Sequence, residues 1–182
     1  MAKKLNPTQF TKAVVRSFMV DSGLEPRYTS RDKCIHITMT LEPRSMLTLA
    51  QFRVLSAAEG RVDFELDIHK DHTNRLKTIH GGTIASLVDL GGSLAVASTG
   101  RFATGVSTDL NVTYLSPGGR VGDTLKGTAI CEKIGKTLAF TQVTFTNSKG
   151  QLAARGSHTK YVAGTMGEAG PFVAPPEFSD VD

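Results

Sequence analysis

Apolar residues follow two different spacings along the chain. Over residues 7–20, Phe10, Val14, Val15 and Phe18 recur at helical intervals, and the pattern predicts a helix. The stretch from Ser22 to Pro43 is less regular. Ile35, Ile37, Met39 and Leu41 alternate there, which predicts an extra strand or an extended arm, and a short helix is expected from Arg44 to Ala50. Residues 51–58 and 61–69 read as strands around a turn at Glu59-Gly60. In the second, Val62, Phe64, Leu66 and Ile68 alternate with Arg61, Asp63, Glu65 and Asp67. A polar loop, His72-Thr73-Asn74-Arg75, leads to a helix over about residues 82–98. Four strands follow, over about 104–115, 123–134, 137–147 and 151–162, separated by turns at Pro117-Gly118-Gly119, Gly135-Lys136 and Ser148-Lys149-Gly150. This order implies an α+β fold, an antiparallel sheet wrapped around one long central helix, with an N-terminal helical extension. Residues 164–182 are rich in Gly and Pro and read as a disordered tail. The expected division is an extension over 1–45, a domain over 46–163 and a tail over 164–182.

Composition adds boundaries rather than identity. A chain of 182 residues suits one stable domain. Cys34 and Cys131 lie far apart, which implies a reducing compartment and no disulfide framework. No apolar run reaches the ~20 residues that span a bilayer, so no membrane span is expected. The net charge of +4 suits an anionic ligand. The basic residues are scattered, without an Arg-rich stripe, and no nucleic-acid partner is expected. The first twenty residues carry Lys3, Lys4, Lys12 and Arg16 and no acid. The expected location is cytoplasmic, or mitochondrial if this basic stretch acts as a presequence.

The central helix holds the candidate chemistry. Residues 82–99 contain one charge, Asp89, and such a helix is buried on most sides. A carboxylate there is either compensated structurally or retained for its reactivity. The helix opens at His80-Gly81-Gly82, where exposed N–H groups and the helix dipole favour an anion or a developing oxyanion. On the next strand, Ser107, Asp109, Asn111 and Thr113 form a polar face, and Ser107 lies nearest the strand start. His72 and His80 are eight apart across a loop, which is not a metal-ligand pair, and no Gly-x-Ser-x-Gly is present.

Taken together, several segments resemble a known family. They are His72-Thr73-Asn74, His80-Gly81-Gly82, Leu87-Val88-Asp89, Gly105-Val106-Ser107, Asn111 through Pro117, and Gly135 through Phe140. Over about residues 46–162 the chain resembles the hotdog thioesterases of the phenylacetate-pathway type, and within them a eukaryotic acyl-CoA thioesterase subgroup. The resemblance implies acyl-CoA hydrolysis without a cofactor or metal, in a homodimer or a dimer of dimers. It places Asn74, Gly81, Asp89 and Ser107 at active-site positions. Gly81 N–H would polarise the thioester carbonyl. Asp89, helped by Ser107, would activate or orient water, and Asn74 would position the carbonyl or water. His80 is read as structural beside the glycine, with direct catalysis the alternative. Coenzyme A binding is assigned to Tyr114, Leu115, Ser116, Pro117, Gly118 and Gly119, to Lys133, Ile134, Gly135, Lys136, Thr137 and Leu138, and to Tyr161. Lys133 and Lys136 would meet phosphates or simply be solvated turn lysines.

Two other readings share the fold. A hydratase would carry a His after the helix Asp, which is absent here. An acyl-CoA-binding sensor differs only in lacking turnover. Helix geometry adds one expectation. Gly81 and Asp89 are eight residues apart, or ~12 Å at ~1.5 Å per residue, too far to act on one carbonyl. The active site is therefore expected to combine Gly81 of one chain with Asp89 of its partner.

Overall fold

The computed structural model describes residues 4–21 and 51–181. Helix α1 spans Pro7–Asp21, β1 Phe52–Ala58, β2 Arg61–Asp67, α2 Gly81–Ala97, β3 Val106–Tyr114, β4 Thr124–Ile134, β5 Leu138–Thr146 and β6 Leu152–Tyr161. The strand and arm expected over 22–43 and the short helix expected over 44–50 lie outside the described residues.

The strands form one antiparallel sheet in the order β1-β2-β4-β5-β6-β3. Alternation sets its inner face. Val62, Phe64 and Leu66 of β2 and Ala139, Val143 and Phe145 of β5 are buried. Phe52, Phe64 and Phe145 form an aromatic row with ring centroids 5.1 and 6.1 Å apart. Helix α2 lies across this face against β2 to β6. It is apolar nearly all round, so burial rather than propensity holds it. Two glycines set how closely it approaches. A Cβ at Gly156 of β6 would stand 2.6 Å from the Val88 side chain, and one at Gly92 would stand 2.5 Å from His158 Nδ1 and 2.6 Å from Thr141 Oγ1.

Strand β3 closes one end of the sheet and is paired only with β6 among the described residues. Its apolar residues Val106, Leu110 and Tyr114 remain exposed.

The C-terminal segment corrects the expectation of a disordered tail. Leu5 N–H donates to Phe172 O at 2.9 Å, and Phe172 N–H donates to Gly100 O at 3.1 Å. Phe172 packs edge-on against Phe10 of α1, Phe178 stacks on Phe102, and Ala174 and Val181 are buried. The Gly and Pro residues break any regular period, but four apolar side chains between them are enough to anchor the segment against α1.

Candidate active site

Asp89 sits on the face of α2 formed by Ser86, Asp89, Leu90 and Ser93. That face opens on a cavity of about 330 Å³, completed by Thr104 to Ser107, Lys160 and Phe18. The carboxylate is not buried as the helix composition suggests: its side chain is 48% exposed. The cavity and the edge position of β3 leave it open.

Three groups converge on Asp89 Oδ1. Ser107 Oγ is 3.2 Å away, and His158 Nε2 is 2.9 Å from Ser107 Oγ and 3.4 Å from Oδ1. Lys160 Nζ is 3.9 Å from Oδ1 and donates to Ser93 Oγ at 2.9 Å. Burial, and then the charge of Lys160, push His158 down from 6.5 to about 4, while Asp89 pulls the other way. The imidazole is therefore neutral near pH 7. A carboxylate only accepts, so the Ser107 hydroxyl donates to Asp89 and His158 Nε2–H donates to Ser107. The result is an oriented chain of donors that fixes the carboxylate from its buried side.

The start of α2 forms a second centre. His80 Nδ1 accepts the Gly82 N–H at 2.8 Å, so His80 is the N-cap. This supports its reading as structural. The Gly81 N–H, by contrast, donates to no acceptor among the described residues. Tyr114 Oη–H donates to Gly81 O at 2.8 Å, which holds the first turn against β3. Gly81, Gly82, Ile84, Thr78, Ile79, Tyr114, Ser116, Pro117 and Gly118 line a cavity of about 380 Å³. Asn74 lines neither cavity. Its Oδ1 accepts from Leu76 N–H, Thr78 N–H and Thr78 Oγ1 within its own loop.

The site residues read from the sequence thus fall into two groups. Asp89 and Ser107 line one cavity and Gly81 the other. The coenzyme A set divides between the two ends of β3. Tyr114, Ser116, Pro117 and Gly118 line the Gly81 cavity, with Leu115 and Gly119 on the same loop. The turn carrying Lys133, Ile134, Gly135, Lys136, Thr137 and Leu138 lies at the opposite end of β3. There Leu138 pairs with Tyr161, and Tyr161 pairs with Val106. From Val106 to Tyr114 β3 runs about 27 Å at ~3.4 Å per residue.

His158 and Lys160 were absent from the sequence-based set. The signal was available: both fall in register with Ala154 and Gly156 on the inward face of β6, where ionisable side chains are rare unless paired.

The hotdog sheet around one helix agrees with what the chain is similar to. The thioesterase superfamily model matches residues 76–154. Human acyl-coenzyme A thioesterase 13 is 45% identical over 115 residues, covering 63% of this chain and 81% of that protein. The chain belongs to the thioesterase superfamily and is a thioester hydrolase. In structure it is similar to zebrafish thioesterase superfamily member 2, with TM-score 0.69, 34% identity, and coverage of 87% of this chain and 99% of that one. It is also similar to smu.793 of Streptococcus mutans, solved bound to acetyl CoA. There the TM-score is 0.57 and the identity 27%, with coverage of 71% of this chain and 95% of that one.

Proposed function

We propose that this thioesterase hydrolyses acyl-CoA esters by water attack at a site shared between two copies of the chain. The name of the human relative and the acetyl CoA complex of the streptococcal one support acyl-CoA as the substrate. Asp89 takes a proton from water as the water oxygen bonds to the carbonyl carbon. The oxyanion that forms accepts from Gly81 N–H, at the positive end of the α2 dipole. The C–S bond then breaks as the oxyanion collapses and the proton held by Asp89 passes to the sulfur, releasing the acid and the coenzyme A thiol. Ser107 and His158 position the carboxylate, and Asn74 Nδ2 is a second donor for the carbonyl.

The observation that carries this reading is the division of the site. Within one chain, Gly81 and Asp89 line different cavities, and the residues assigned to coenzyme A fall at the two ends of β3. Two β3 edges paired antiparallel about a two-fold axis would put the Val106 end of one beside the Tyr114 end of the other. Both half-sites would then close twice. The exposed Val106, Leu110 and Tyr114 would also gain cover.

The test mixes Asp89→Asn chains with Gly81→Val chains under subunit exchange. Gly81→Val is a suitable block, since even a Cβ there stands 3.3 Å from the Tyr114 ring. Each variant alone should lose about 10²–10⁴-fold in thiol release from acyl-CoA. Mixed dimers should recover up to one working site each. No recovery, with mixed dimers verified by native mass measurement, overturns the shared site.

A further inference from the structure

One wall of the Asp89 cavity comes from outside the domain predicted to carry the chemistry. Ser86, Asp89, Leu90 and Ser93 come from α2, residues 104–107 lead into β3, and Lys160 belongs to β6. The remaining lining residue is Phe18 of α1.

Helix α1 is held from several sides. Thr8 Oγ1 donates to Ala57 O and accepts Ala57 N–H, both at 3.0 Å, tying the helix to β1. Arg16 donates to Asp180 O, and Phe10 packs against Phe102 and Phe172. Phe10, Ala13, Val14 and Ser17 form the buried stripe. Phe18 continues this stripe one step beyond Val14, at i+4, yet it is only partly buried. Phe18 packs against the core on one side and lines the cavity on the other. At about 330 Å³ the cavity lies at the small end of the ~300–1,000 Å³ typical of ligand sites. Phe18, Leu90 and Val106 are the apolar side chains among its otherwise polar lining, so the Phe18 ring bears on how much apolar bulk fits.

We infer that α1, seated by the C-terminal segment, forms the acyl wall of the Asp89 cavity, and that Phe18 limits the size of the acyl group hydrolysed. This rests on the acyl-CoA reading above. Phe18 touches none of the reacting groups. It is a specificity-determining residue, and its replacement changes which ester is preferred rather than the chemistry.

The experiment uses the full chain and its Phe18→Ala, Phe18→Leu and Phe18→Trp variants. For each, kcat/KM is measured from butanoyl-CoA to octadecanoyl-CoA, alongside calorimetric binding of the matching thioether analogues. Phe18→Ala and Phe18→Leu should raise the preference for long over short esters by about tenfold, the scale of one or two methylenes in an apolar pocket. Phe18→Trp should lower it. The Leu and Trp variants keep apolar bulk if Ala weakens the fold. Folded variants with a lowered Tm but an unchanged length preference overturn the inference and leave Phe18 as packing alone. If the parent chain releases no thiol from any ester, the acyl-CoA turnover reading falls instead, and the thioether series still decides the wall: an unchanged length ranking there overturns it.

Discussion

His158 is a buried imidazole between a cation and a carboxylate, and its proton affinity follows from that position. Desolvation and Lys160 lower it, while Asp89 and Asp109 raise it less. The folded chain titrates at about 4 where the unfolded chain titrates near 6.5. Between these values the unfolded state binds more protons. No stability is lost to this group above about pH 6.5, and the loss grows as pH falls towards 4. Burial lowers His72 as well, adding slope of the same sign. His158→Gln should flatten part of this fall in a series of Tm against pH. Because the glutamine Nε2 is still a donor towards Ser107, it should also keep most of kcat. His158→Leu should lose kcat by about tenfold or more with KM little changed, since the hydroxyl then has no donor holding it in place. Equal kcat for the Gln and Leu variants would show that the donor chain does not position Asp89.

Among the elements, α2 and the sheet meet where Gly92 faces His158 and Thr141. Replacing a helical glycine by alanine normally gains about 1 kcal/mol. Here the new methyl would stand at 2.5 and 2.6 Å from two buried side-chain atoms, and Thr141 Oγ1 is already tied to His158 O at 2.8 Å. Overpacking of this kind costs about 1–3 kcal/mol and should win. Gly92→Ala is expected to lower both the denaturation midpoint and kcat, while Gly167→Ala, with open space around it, changes neither. A stabilised Gly92→Ala would refute the close contact. Most elements were legible in the chain because their residues alternate or recur cleanly: Val62, Phe64 and Leu66 mark β2, and the charge-poor run around Asp89 marks α2. The half-exposure of Asp89 was not legible, since it depends on β3 lying at the sheet edge and not on any local pattern. His158 and Lys160 were legible only as the inward register of β6, once that strand had been assigned a buried face.

For the whole molecule, the two ends of the described chain join in one part of the main core. Lys4 bridges Val173, Leu5 donates to Phe172, and Phe172, Phe10, Phe102 and Phe178 pack in succession. The composition of residues 164–182 concealed this, because Phe172, Ala174, Phe178 and Val181 follow no repeat. Deleting residues 171–182 should lower Tm by about 5 °C or more. An unchanged Tm would mean the segment contributes nothing to the fold. The same clasp sets an order of assembly. Translation delivers α1 first, yet Phe172, one of the two aromatic partners of Phe10, emerges more than 150 residues later. At about 5–20 residues per second, Phe10 and Val14 spend several seconds of synthesis without Phe172 beside them. The sheet and α2 need only the chain as far as Tyr161. Asp89 and its partners Ser107, His158 and Lys160 thus all precede, in order of synthesis, the segment that clasps the helix beside them.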